Sequence, residues 1–338
     1  MALPVRKPFV HVGPSKTGTS AVQHVLRTHD NSSVIYPKVG LWADGAHHNL
    51  VFNFYQDFTH PQVVRSDIHR LFAEIAAEAS RYGGDLLISS ELLAHRDVGA
   101  LIGALLPWLG GDPWEPEILI VCREHFGTAS STYNQRVKDA VVLERREPDA
   151  FLQGYAAQLV YAPLITELRR SGVPITALNY HPIEDFVERF LRHVGFAGRE
   201  PILNELRNVS LSIKGLVATL AANNVAQTLA DRDRHFAALR RQIRPFFAPS
   251  RFIFGRAAAE AADLGFRDDR LFLFEEFGIR LPAVDLAAQQ DMFCINDREL
   301  NEIAIATADL GPEGEAIVAF ARRYLPASRA TTCAKSSR

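Results

Sequence analysis

The stretch Phe9-Val-His-Val-Gly13-Pro14-Ser15-Lys16-Thr17-Gly18-Thr19-Ser20-Ala-Val-Gln23 decides how the rest of the chain is read. It opens on a short apolar run suited to a buried strand, and from Ser20 it suits a helix. Between the two, Gly13 and Gly18 free backbone N–H groups to turn toward an anion, and the helix adds the positive end of its dipole. Lys16 brings a point charge for a bridging oxygen, and Thr17, Thr19 and Ser20 bring hydroxyl donors.

A loop that grips a nucleoside triphosphate with magnesium has the order Gly-x-x-x-x-Gly-Lys-Ser/Thr. Gly13 and Gly18 keep that glycine spacing, but the lysine falls inside the loop at position 16 and Thr19 follows Gly18. The displaced lysine argues against a standard ATPase.

Outward from this loop, apolar runs at residues 9–12, 34–36, 86–89, 118–122 and 175–178 are each bounded by polar or turn residues, as buried strands are. Helices are expected between most of them, at residues 20–28, 61–82, 98–109, 127–142, 150–171 and 183–194. The clearest is 61–82, where Val64, Ile68, Leu71, Ile75 and Ala79 recur on one face before Gly83-Gly84 stops the run. Parallel strands need crossovers, so this alternation predicts an α/β fold: a three-layer, doubly wound parallel sheet of about five strands. In such sheets ligands bind outside the carboxyl ends of the strands, here the loops after Val12, Ser89 and Cys122.

Past about residue 203 the pattern turns helical, with helices expected at 211–229, 232–244 and 312–324, and an irregular or extended stretch at 252–255. The expected organisation is an α/β core over 1–205, a helical cap or substrate-shaping portion over 206–326, and a flexible tail over 327–338.

A second motif follows the fourth apolar run: Arg123 leaves it at the strand end, and Ser131 comes eight residues later in the next helix. An arginine fork and a hydroxyl converging on one phosphate suit a ribose 3′-phosphate, which ATP lacks.

Thirty-seven basic against 39 acidic residues give a formal charge of −2, which removes the footprint of a nucleic-acid binder. Forty-seven per cent hydrophobic residues support a sizeable core, and Cys122, Cys294 and Cys333 are too scattered for a disulfide framework or a zinc site. No apolar run reaches the ~18 residues of a membrane span, and only residues 8–12 separate Lys7 from Gly13, too few for a signal peptide core. A cytoplasmic protein is expected.

Lys16-Thr17-Gly18-Thr19 with Gln23, and Arg123 with Ser131, Tyr133 and Gln135, resemble the two nucleotide motifs of sulfotransferases that use 3′-phosphoadenosine 5′-phosphosulfate. The resemblance covers about residues 8–215 and is nearest to the bacterial branch of the carbohydrate type, which Leu87-Ile-Ser-Ser-Glu91 and Asn208-Val-Ser-Leu-Ser212 also resemble. It implies a P-loop-type fold and a metal-independent transfer of a sulfuryl group to a hydroxyl or amine, with a carbohydrate or glycolipid as acceptor. The implied donor site is the loop Gly13 to Ser20 for the 5′-phosphosulfate and Arg123 with Ser131 for the 3′-phosphate; from the sequence after the sheet, Arg207 and Lys214 are expected to close over the latter.

Proton removal has three candidates: His48 first, with its neighbour His47, in a loop after the second strand, and Glu91 at the end of the third. His11 reads as a packed strand histidine. A kinase-like nucleotide-dependent transferase, or a non-catalytic relative that holds nucleotide or glycan, is the competing reading.

Overall fold

The computed structural model describes residues 6–29, 33–57, 63–82, 84–110, 114–139, 142–182, 185–196, 211–242, 252–286 and 293–326. Along the chain it runs β1 (Pro8–His11), α1 (Thr19–Thr28), β2 (Val34–Ile35), α2 (His48–Tyr55), α3 (Ile68–Tyr82), β3 (Asp85–Ser89), α4 (Val98–Leu105) and β4 (Glu117–Cys122). Then follow α5 (His125–Lys138), α6 (Pro148–Tyr155), α7 (Tyr161–Arg169), β5 (Ile175–Asn179) and α8 (Phe186–His193). The helices α9 (Ile213–Val225), α10 (Leu229–Gln242), α11 (Arg256–Phe277), α12 (Asp297–Thr307) and α13 (Pro312–Ala321) complete the order.

The five strands form one all-parallel sheet in the order β2-β3-β1-β4-β5. Val10 of β1 stands level with Ile88 of β3 and Ile118 of β4. Successive side chains of a strand take opposite faces, and both faces here are covered. Phe9, Leu87, Leu119 and Val121 pack with Val22, Val25 and Leu26 of α1 and Phe186, Phe190 and Leu191 of α8. Val10, Ile88, Ile118 and Ile120 pack on the other side with Phe72 and Ile75 of α3, Leu101 and Ile102 of α4, and Ile165 and Leu168 of α7. Each such side chain removed from water contributes about 1.5–3 kcal/mol, and this two-sided burial is what makes the strands continuous apolar runs.

By compactness the chain divides into two units. The first takes Met1–Glu124, Val160–Glu205 and Phe266–Pro282, and the second takes His125–Leu159, Leu206–Gly265 and Ala283–Arg338. This division is not the linear one at residue 205: α5 and α6 fall in the second unit, and the end of α11 returns to the first. Leu273, Ile279 and Leu281 from that return join the core beside α7.

Within the second unit α9 is buried on every side, as a helix with no polar face must be. Asn223 of α9 donates to the carbonyls of Val137 and Glu144, both at 3.0 Å. Asn296 and Glu299 form a reciprocal cap at the start of α12.

Several helix expectations change. The run 150–171 is two helices, α6 and α7, joined by a 3-10 turn at Ala156–Gln158. Pro163 falls in the first turn of α7, where a helix tolerates it but cannot continue back through it. Asp269 of α11 supplies the missing cap, accepting the N–H of Tyr161 at 2.9 Å and of Ala162 at 2.7 Å. The run 211–229 stops at Val225, before α10 opens at Leu229. His48 opens a helix instead of lying in a loop, and α11 and α12 fill stretches with no expected element. Residues 61, 83 and 327–338 lie outside the described residues. No described helix is long and apolar enough to cross a membrane.

Candidate functional site

The connection from β1 runs to β2 on one side of the sheet, and that from β4 runs to β5 on the other. Their carboxyl ends therefore flank the crevice where ligands sit in sheets of this kind. The loop after β1 turns through two left-handed residues, Lys16 at φ +73° and Gly18 at φ +81°. For lysine that conformation costs about 1–2 kcal/mol, a strain found where backbone geometry serves a purpose. Thr17 holds the turn by donating its hydroxyl to the Pro14 carbonyl at 2.8 Å. α1 then starts with no side-chain cap and no acidic residue in its first turn, so its leading N–H groups face an electropositive end that nothing in α1 neutralises.

Both loop glycines are held to that residue type by their neighbours. A Cβ at Gly13 would stand 2.6 Å from Thr19 Cγ2 and 3.1 Å from His11 Nε2, and one at Gly18 would stand 2.7 Å from the rings of Phe186 and Tyr180.

Arg123 is fastened to this loop from β4. Its Nη1 donates to the Lys16 carbonyl at 2.8 Å, its Nε to Glu124 at 3.3 Å, and its guanidinium lies 5.0 Å from the Tyr180 ring centre. Burial pushes the Glu124 carboxyl up, but the hydrogen bond from His181 and the charge of Arg123 outweigh it, and the net shift is downward. Arg123 thus keeps an ionised partner and spends two of its five donors, leaving a fork at the crevice. Ser131 stands half-buried on α5, in the second unit. Lys214 lies in the first turn of α9, and its ammonium pairs with Glu302. Arg207 lies outside the described residues.

The three base candidates separate cleanly. His47 is fully buried; its Nδ1 accepts the Ser89 N–H at 3.2 Å and its Nε2 donates to the Pro37 carbonyl at 3.0 Å. Burial lowers its pKa to about 4, with both carbonyl and N–H partners fixing the neutral tautomer. His47 is therefore a structural tie between the β2–α2 connection and β3, and it leaves the list of bases.

His48, one residue on, points elsewhere because adjacent helix residues do not share a direction. Its Nδ1 lies 2.7 Å from Ser90 Oγ, and its Nε2 lies 3.4 Å from Asp44 and 3.7 Å from Glu91. Burial would raise the Asp44 carboxyl, but hydrogen bonds from His48 and the Ala46 N–H bring it down.

Glu91 joins this group to the loop. Thr19 donates its hydroxyl to Oε1, and Gln23 donates to Oε2 at 3.2 Å while also reaching Ser89 Oγ at 3.1 Å. Ser89 Oγ in turn meets His11 Nδ1 at 2.9 Å. Burial lowers His11 to about 4, against the pull of Glu91, so its ring is neutral near pH 7. The ordered chain His48–Glu91–Gln23–Ser89–His11 lies along the carboxyl ends of β3 and β1, beside the loop after β1.

Sequence reasoning missed Ser90 and Asp44, the two groups that orient His48. Ser90 adjoins Glu91 and was available as a strand-end hydroxyl. Asp44 became visible only once His48 proved to open α2, one helical turn beyond it. Among the described residues, no group of three or more His, Cys, Asp or Glu gathers as metal ligands.

The chain matches no protein-family model and no curated protein.

Proposed function

We propose that the chain is a sulfotransferase that takes a sulfuryl group from 3′-phosphoadenosine 5′-phosphosulfate and passes it to a hydroxyl or amine, with a carbohydrate or glycolipid as the acceptor class. The observation that carries this is the bond from Arg123 Nη1 to the carbonyl of Lys16, because it couples an arginine fork to a phosphate loop whose lysine sits inside the loop. One anion on the loop and a second on the arginine describe a nucleotide phosphorylated at two positions.

The chemistry follows from the groups present. The acceptor oxygen attacks sulfur in line as the bond from sulfur to the bridging oxygen breaks. Lys16 and the N–H groups at the start of α1 hold the charge that develops on that oxygen. The acceptor proton passes to the Glu91–His48 pair.

One observation favours a second reading. Thr19 follows Gly18 and bonds a strand-end carboxylate, Glu91, and a hydroxyl beside a carboxylate is also how a magnesium–triphosphate site is built. Titration calorimetry of the full chain separates the two. The sulfotransferase reading expects adenosine 3′,5′-bisphosphate to bind without magnesium and more tightly than ADP or ATP. Preference for ATP with magnesium would overturn it.

A further inference from the structure

Arg123 is held at more points than an ion pair requires. The Tyr161 hydroxyl accepts its backbone N–H at 2.8 Å and donates to its carbonyl at 3.0 Å. Further out, Nη1 donates to the Lys16 carbonyl at 2.8 Å, and the Tyr180 ring centre lies 5.0 Å from the guanidinium carbon. Nε donates to Oε2 of Glu124 at 3.3 Å. A guanidinium is planar and always charged, so these bonds fix which of its edges is left for a ligand.

Two oxygens of one anion can be gripped through either of two edges, Nε with Nη2 or Nη1 with Nη2. Glu124 closes the first, taking the Nε proton and setting a negative charge on that side. The charge is itself moored. The same Oε2 accepts from His181 Nε2 at 2.5 Å, and the His181 N–H is tied to Asn179 Oδ1 at the end of β5, 2.9 Å away. The Glu124 carboxyl lies below its usual range and is ionised near pH 7, so it only accepts and both neighbours donate to it. Of the side-chain N–H groups of Arg123, two on Nη2 and one on Nη1 are left, and an anion meets the fork from that end alone.

We infer that Glu124, moored by His181, is a specificity-determining residue that restricts Arg123 to one phosphate position on the ribose, the 3′ rather than the 2′. This rests on the sulfotransferase reading. The 2′ and 3′ oxygens are neighbours on the ring, and a fork open along both edges could follow a phosphate moved from one to the other. With the Nε edge closed and negatively charged, the moved phosphate loses its second bond or faces the carboxylate. Glu124 is thus a positioning residue that acts through Arg123 on which nucleotide is accepted.

The test is calorimetry of the full chain with adenosine 3′,5′-bisphosphate, adenosine 2′,5′-bisphosphate and ADP. The wild type should favour the 3′,5′ isomer over the 2′,5′ isomer by about ten- to a hundredfold, the range of a hydrogen bond to a charged group. Glu124→Ala opens the Nε edge and should bring the two isomers within about threefold of each other. His181→Ala leaves the charge but removes its mooring, and should lower the preference by about three- to tenfold, the net worth of one hydrogen bond. ADP offers Arg123 no phosphate on the ribose 2′ or 3′ oxygen, so its affinity registers general damage and should move by less than about threefold in either variant. Full preference kept by Glu124→Ala, or by His181→Ala should the first variant not fold, would overturn the inference alone, as would a wild type that binds both isomers equally. A wild type that binds the 3′,5′ isomer no more tightly than ADP would overturn the sulfotransferase reading and the inference with it.

Discussion

Replacing Gly18 with alanine tests the loop geometry at its tightest point. Gly18 holds φ +81°, a conformation that costs an L-residue about 1–2 kcal/mol. The added methyl also stands 2.7 Å from ring carbons of both Phe186 and Tyr180, which are 2 % and 8 % exposed and have little room to withdraw. Overpacking of that kind costs about 1–3 kcal/mol, so Gly18→Ala should lose about 2–5 kcal/mol of stability in all. Urea unfolding followed by intrinsic fluorescence reads the loss as a lowered midpoint. A functional effect should accompany it, because Tyr180 underlies the Arg123 guanidinium at 5.0 Å. Displacing that ring should weaken adenosine 3′,5′-bisphosphate more than ADP, which lacks the 3′-phosphate. A variant whose stability stays within about 0.5 kcal/mol of the wild type would refute the reasoning, since neither strain nor overlap could then be present.

Four further outcomes are expected. Arg123→Lys should cut the preference for adenosine 3′,5′-bisphosphate over ADP by about ten- to a hundredfold in calorimetry, because an ammonium cannot reproduce a planar fork. His47→Phe should lower the unfolding free energy by about 1–3 kcal/mol for its orphaned Ser89 and Pro37 groups, while transfer by the folded fraction persists; His48→Phe should abolish transfer, measured with labelled donor. His11 and His47 have folded pKa values lowered to about 4, so between roughly pH 4 and 6.5 the unfolded chain binds up to two more protons; stability should fall as pH drops through that window, at a slope approaching about 2.7 kcal/mol per pH unit, and gain no further loss from these groups below it. Cys122 is fully buried with its thiol pushed up by burial, so it should resist alkylation in the native protein, as followed by mass spectrometry, and react only on unfolding.

The sheet was legible because β1, β3 and β4 are buried on both faces and so read as apolar runs between turn residues. The loop was legible for a different reason: Gly13 and Gly18 answer to local crowding and local φ, and both leave their mark in residue type. What the chain hides is non-local. Pro163 is the one local sign that a helix starts near Tyr161, and the group that caps it, Asp269, lies more than a hundred positions away. α11 escapes because its apolar residues do not keep to one face: Leu264, Leu271 and Phe274 are exposed, and Gly265 sits mid-helix. His47 and His48 are chemically identical in sequence, and only the phase of α2 decides that the first is locked between backbone groups while the second meets Ser90, Asp44 and Glu91. The short reach of Thr19 to Glu91, across 72 positions, was equally invisible.

The return of residues 266–282 to the first unit bears on how the protein is made. A chain emerging from the ribosome has delivered all five strands by residue 179, yet Asp269, Leu273, Ile279 and Leu281 are still to come. At about 5–20 residues per second the sheet waits on the order of 5–20 s for its last core residues. Through that interval the start of α7 has no cap and one apolar face of the sheet is incomplete, so the nascent chain should engage holding chaperones late, and a fragment ending at residue 205 should be a poor substitute for the whole.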